Sequence, residues 1–209
     1  HYLSGHNVLN PALPPDDIPD GTHNSGVGHG TMVAGIVARI APGAMIMPVR
    51  VLNGDGIGTA LGVAKGIAFA LGNGAHVLNM SFGTKTKSRT VNSMLDEAEL
   101  AGVVLVASAG NDDANIPQQP AAGKGALATA AVEADYTKSS YSSYGSFVRV
   151  VAPGSGIRST YVTGYASWSG TSFAAPFVAG QAALLLWAAP GITSDDVRSA
   201  IRHTAHSVD

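Results

Sequence analysis

The chain has no cysteine. A disulfide framework, a thiolate nucleophile and a zinc–sulfur centre are therefore excluded. Charge is sparse: Asp, Glu, Lys and Arg make up 12% of the residues, the net charge is −2, and no basic cluster exists to track a phosphate backbone, so nucleic acid is not an expected partner. Aromatics are scarce as well, at 6%, which leaves Gly, Ala, Ser and Val to build a closely packed interior. The opening His1-Tyr2-Leu3 carries neither the basic nor the apolar region of a signal peptide. The longest apolar run, Phe173 to Ala189, is broken by Pro176, Gly180 and Gln181. It reads as a buried helix rather than a membrane span, and no membrane partner is expected.

What is present suits one domain over residues 1–209: a chain 45% hydrophobic can bury a sizeable core. Residues 1–28 read as loop, with a short strand near Val8. Helical spacing follows at Thr31–Ile40, Ala60–Leu71, Val91–Ala101, Ser172–Ala189 and from Ser194 onward. Continuous apolar strands are predicted at Ala44–Leu52, Val77–Phe82, Val103–Ala107, Leu127–Val132 and Val148–Ala152. Apolar strands without polar alternation are covered on both faces, and strands alternating with helices imply a parallel sheet. The expected fold class is α/β, a three-layer α/β/α sandwich with a mainly parallel sheet. In such folds the working residues gather beyond the carboxyl ends of the strands.

Three polar motifs stand at such places: Ser81-Phe82-Gly83, Ser108-Ala109-Gly110-Asn111 and Ser169-Gly170-Thr171-Ser172. A fourth, Gly28-His29-Gly30-Thr31, opens an apolar helix. The imidazole of His29 can exchange a proton near neutral pH, as a general base must. Ser172 starts a helix, where free N–H groups and the positive dipole end stabilise developing negative charge. The Asn111 amide can donate to the same oxyanion. Taken singly, each has a plainer reading: a capping or core histidine, a serine N-cap, a turn asparagine.

Together the motifs carry a resemblance. GHGTMVAGIVA at 28–38 and SGTSFAAPFVAG at 169–180 resemble the histidine and serine motifs of the subtilisin-like serine proteases. VLNMSFG at 77–83, VASAGND at 106–112 and VAPG at 151–154 extend the similarity. The resemblance implies a subtilisin-like fold and a serine endopeptidase that forms an acyl-enzyme on Ser172, with His29 as general base. Asn111 and the Ser172 N–H would form the oxyanion hole. Ser81, Phe82 and Gly83 on one side and Gly56, Ile57 and Gly58 on the other would pair with an extended polypeptide substrate, with Ala109 and Gly110 beside them. A propeptide or protein inhibitor is an implied further partner, and a secreted, extracellular location is implied by the family alone. A cis bond at Gln119-Pro120 is likewise a family-based expectation.

The sequence departs from the family pattern in two places. The family order is Asp, His, Ser, and its aspartate ends an apolar strand. No such strand precedes His29, so the chain is expected to begin just downstream of it. Asp16, Asp17 and Asp20 read as solvated loop acids. Loss of the acid lowers turnover by roughly 10⁴ in a comparable triad. Loss of its strand would leave neighbouring backbone groups unpaired, at about 1–3 kcal/mol for each buried group. A catalytically impaired fragment or binding module is therefore the competing reading. The second departure is Ala38–Gly43, which is short and lacks a carboxylate, so a calcium-wrapping insertion there is not evident; no cofactor is expected to be required. His203 and His206 share a helix face without a third ligand. Gly54–Gly58 lacks the spacing of a dinucleotide fingerprint. The Asn79-Met80-Ser81 sequon falls on a buried strand.

Overall fold

The computed structural model describes residues 2–207. Elements follow in the order β1 His6–Asn7, α1 His29–Ile40, β2 Val49–Arg50, α2 Ala60–Gly72, β3 Val77–Met80, α3 Arg89–Leu100, β4 Val104–Ser108, β5 Ala126–Val132, β6 Val150–Pro153, β7 Ile157–Tyr161, β8 Gly164–Trp168, α4 Thr171–Ala188 and α5 Ser194–Thr204. Strands β3-β4-β5-β6 form one parallel sheet in chain order.

The sandwich follows from the two-residue period of the strands. Along β4, Leu105 and Ala107 face one core, with Ile67 of α2 and Val91, Leu95 and Ala98 of α3. Val104 and Val106 face the other, with Ala174, Ala175, Val178 and Ala182 of α4 and Val197 and Ile201 of α5. Every residue of β4 and β5 is buried. This is the α/β fold expected from uninterrupted apolar strands. The apolar run of α4 is matched to the sheet on its buried side, with Trp187 left exposed near its end.

The structure departs from expectation at three points. The strand expected over Ala44–Leu52 is reduced to Val49–Arg50, which pairs in parallel with His6–Asn7. Pro48 cannot donate to a ladder, and a strand with one partner has few bonds to extend it. This two-stranded piece stands as a separate sheet. Helix α2 bridges it to the larger one: a Cβ on Gly66 would press on Val51 and Val49, while Ile67 packs under the four-stranded sheet. The antiparallel hairpin β7–β8 was not expected at all. Finally, Asp17 and Asp20, expected as solvated loop acids, hold specific partners; Asp20 is exposed as expected, and Asp17 is half-buried. Asp17 bonds to Thr31 at the start of α1, and Asp20 accepts from Gly54 N–H and pairs with Arg50.

Candidate active site

Ser172 sits in the first turn of α4, just past the carboxyl ends of β3 and β4. Its side chain is half-buried, and its Oγ donates to the Ser81 carbonyl at 3.1 Å. In return Ser81 Oγ donates to the Ser172 carbonyl at 2.7 Å and accepts from Asn79 Nδ2 at 3.0 Å. The end of β3 is thus stitched to the start of α4.

A second set of bonds orients Asn111. Gly110 N–H donates to Thr171 Oγ1 at 3.1 Å. Thr171 then donates to Asn111 Oδ1 twice, from N–H at 2.8 Å and from Oγ1 at 2.9 Å. With both donors on Oδ1, the amide has one consistent assignment, and Nδ2 is left as the free donor. Thr171 N–H is consumed by this network. The next N–H along the helix start, that of Ser172, has no intrahelical partner by position. VAPG and SGTS are joined as well, because the Gly154 carbonyl accepts Gly170 N–H at 2.9 Å and the Tyr141 hydroxyl at 2.8 Å.

Ser172, Thr171, Asn111, Gly110, Phe82 and Gly83 line a cleft of about 460 Å³. Gln118, which the sequence reading passed over, crosses it. A Cβ on Gly83 would stand 2.7 Å from Gln118 Oε1, and one on Gly110 would stand 2.7 Å from Gln118 Nε2. Glycine at both positions gives the Gln118 amide its place, where it donates to Asp112 at 2.7 Å. Lys85 pairs with the same Asp112 oxygen at 3.1 Å. Ala109 is fully buried behind this wall. Gly56, Ile57 and Gly58 do not line the cleft; they belong to a turn in which Asn53 N–H donates to the Ile57 carbonyl.

His29 is held differently. It is the first residue of α1, after Gly28 at φ 87°, where any side chain would collide with the Tyr161 ring. Its ring centroid lies 5.3 Å from that of Phe173, next to Ser172 in sequence, and 6.5 Å from that of Trp168. Burial among these rings holds the imidazole below its usual 6.5, while the Asp17 carboxylate pulls the other way. Hairpin β7–β8 supplies Trp168, and it anchors the first turns of α1: Thr160 Oγ1 donates to the Thr31 carbonyl at 2.9 Å and Ser159 Oγ to the Met32 carbonyl at 2.7 Å. Among the described residues no hydrogen bond joins His29 to Ser172, whose hydroxyl is taken by Ser81.

Among the described residues no group of three or more histidine and acidic side chains is arranged to hold a metal. His203 Nδ1 lies 2.9 Å from the Ser199 carbonyl in its own helix. The Gln119-Pro120 bond is cis.

Residues 10–209 match the model of the subtilase family. The chain is 43% identical to thermitase of Thermoactinomyces vulgaris over 90% of its own length and 71% of that protein's. It is 39% identical to a thermostable alkaline protease of Halalkalibacterium halodurans, over 85% of the chain but 52% of that protein. Among solved structures, a protease from Pseudoalteromonas arctica superposes with a TM-score of 0.89 at 32% identity, covering 99% of this chain and 78% of the other. A cold-adapted subtilisin-like serine proteinase gives 0.86 at 32%, covering 98% and 74%.

Proposed function

The chain belongs to the subtilase family, and from that membership we propose that it is the catalytic part of a serine endopeptidase whose reaction runs through Ser172, His29 and Asn111. The observation that carries this reading is the convergence at the start of α4: a half-buried serine hydroxyl, a free helix N–H and an asparagine amide turned outward by its own bonds, all at the wall of one cleft.

In the proposed cycle an extended polypeptide lies along Ser81–Gly83 and its backbone pairs with that segment. Ser172 Oγ turns from the Ser81 carbonyl toward His29, a rotamer change that costs little next to catalysis. The hydroxyl oxygen attacks the peptide carbonyl carbon while His29 takes its proton. The negative charge that forms on the carbonyl oxygen is met by Asn111 Nδ2 and Ser172 N–H. His29 then gives the proton to the leaving amine, and water, deprotonated by the same ring, releases the acyl group. The ring then returns that last proton to Ser172 Oγ, which closes the cycle. Polypeptide substrates fit the protease names of the relatives, and a propeptide or inhibitor would occupy the same wall.

One observation favours a second reading, an impaired or binding-only form: the Ser172 hydroxyl is bonded to Ser81 rather than to His29. A fluorophosphonate probe followed by peptide mass mapping separates the two. Stoichiometric modification of Ser172, lost in His29→Ala, is the outcome expected of the peptidase. Absence of modification in a folded protein supports the binding form.

A further inference from the structure

Helix α1 opens without a cap of its own. Its N-cap is Gly28, with no side chain, and its first turn has no acidic residue. The N–H groups at a helix start need acceptors, and the positive dipole end favours a negative charge. Both are supplied from a distant loop. Asp17 Oδ2 accepts the Thr31 N–H at 2.9 Å and the Thr31 hydroxyl at 2.5 Å. The same oxygen lies 3.7 Å from the point a Cβ on Gly30 would occupy, so the carboxylate rests over the turn that begins with His29.

None of the other charged groups around α1 bonds to its first turn. Helix α4, which packs against it, has no ionisable side chain. On β7, Arg158 lies over the Tyr165 ring of β8, and the Tyr161 hydroxyl donates to the Val27 carbonyl. In the loop before α1, Asp20 pairs with Arg50, Asp16 is exposed, and the His23 N–H is bound by the Asp55 carboxylate. On α1 itself Arg39 stands in the last turn.

We propose that Asp17 is a positioning residue for His29: from a remote loop it caps α1 and sets a negative charge over the turn that carries the imidazole. The cap fixes where the ring sits. The charge favours the imidazolium that forms when the ring takes a proton from Ser172; this half of the proposal rests on the general-base reading of His29. Asp17 bonds to Thr31 and not to the ring: its bonds hold the helix end, and its charge reaches His29 across the first turn. The direction of its influence on His29, toward a higher pKa against the larger effect of burial, agrees with this placement.

The test is an NMR titration of the His29 ring in the full chain labelled at histidine, with His29→Gln used for assignment. Asp17→Asn keeps an acceptor oxygen but removes the charge, so the protein is expected to fold and the His29 pKa to fall. Asp17→Glu restores the charge and returns the pKa toward the parent value. Thr31→Val removes the hydroxyl bond but leaves the carboxylate; it lowers Tm by roughly 2–4 °C, the size of one lost cap in a chain of this length, with the His29 pKa unchanged. A His29 pKa that is the same in Asp17→Asn and the parent overturns the proposal, as does an equal shift in Asp17→Asn and Thr31→Val. None of these readings needs turnover. A parent chain that leaves Ser172 unmodified by fluorophosphonate would therefore count against the general-base reading without touching the titration.

Discussion

Ser172 at the cleft wall and His29, which packs on the neighbouring Phe173, are secured by different physical means. On the serine side, directional bonds run from donor to acceptor: Asn79 to Ser81, Ser81 to Ser172, Gly110 to Thr171, Thr171 to Asn111. On the histidine side, a ring is wedged among Phe173 and Trp168, on a helix held in place from outside by Ser159, Thr160 and Asp17. Directional bonds suit the side that must present fixed donors to an oxygen of changing charge, because such donors need no reorganisation during reaction. Packing suits a base that must gain and lose a proton, since buried hydrogen bonds to one form would bias it.

This contrast can be attacked from the serine side first. Asn111→Ala is expected to lower kcat by about 10²–10³ with little change in KM, the magnitude known for loss of such a donor from a subtilisin. Peptide p-nitroanilide kinetics read it directly, and a loss confined to KM would mean that Asn111 only binds substrate. Thr171→Val is the next largest. It strands the buried Gly110 N–H and removes one of the two donors to Asn111 Oδ1, leaving the backbone N–H of residue 171, at a cost of about 1–3 kcal/mol in denaturant unfolding. Its kcat should fall between those of the parent and Asn111→Ala; an unchanged kcat would show that the Thr171 relay does not orient the amide.

The histidine side is expected to answer differently. Trp168→Ala costs less than the roughly 3–5 kcal/mol of a fully buried aromatic, because Trp168 is half-buried. Its distinctive consequence is a rise of the His29 pKa toward 6.5, because burial is the main cause of the depression. Smallest is the effect of pH on the parent. The folded state holds His29 below 6.5, so the unfolded chain binds more protons between the two values. The contribution of His29 to stability is complete above pH 6.5 and declines as pH falls through that window. Unfolding of the parent and His29→Gln across pH 5–8 should show a difference that shrinks toward acid.

The two sides were also unequally legible in the sequence. SGTSFAAPFVAG and VASAGND are contiguous motifs, so the family resemblance they carry pointed to Ser172 and Asn111 directly, and a parallel sheet places both at strand ends. Thr171 was read as a flank, although a threonine beside Gly170 at a helix start was the signal of its bonding role. The histidine side depends on tertiary contacts that no local pattern announces. Ile157–Trp168 mixes small polar with aromatic residues and carried no assignment from the sequence, yet it anchors α1 through Ser159 and Thr160, far along the chain. Asp17 lies in a Pro-Pro-Asp-Asp-Ile-Pro-Asp run whose composition indicates solvated loop. Its bond to Thr31 exists because α1 lacks its own cap. The two-sided burial of β4 and β5 was plain from uninterrupted apolar residues; the shortening of β2 was not, since strand length depends on the number of partners.

The account stands or falls on the geometry of the charged intermediate. A crystal structure of the Ser172 phosphonyl adduct measures it. The account predicts the phosphonyl oxygen about 2.7–3.1 Å from both Asn111 Nδ2 and Ser172 N, with His29 swung to Ser172 Oγ and the bond to Ser81 broken. An adduct whose oxygen points to solvent, or in which His29 stays out of reach of Ser172, would contradict it.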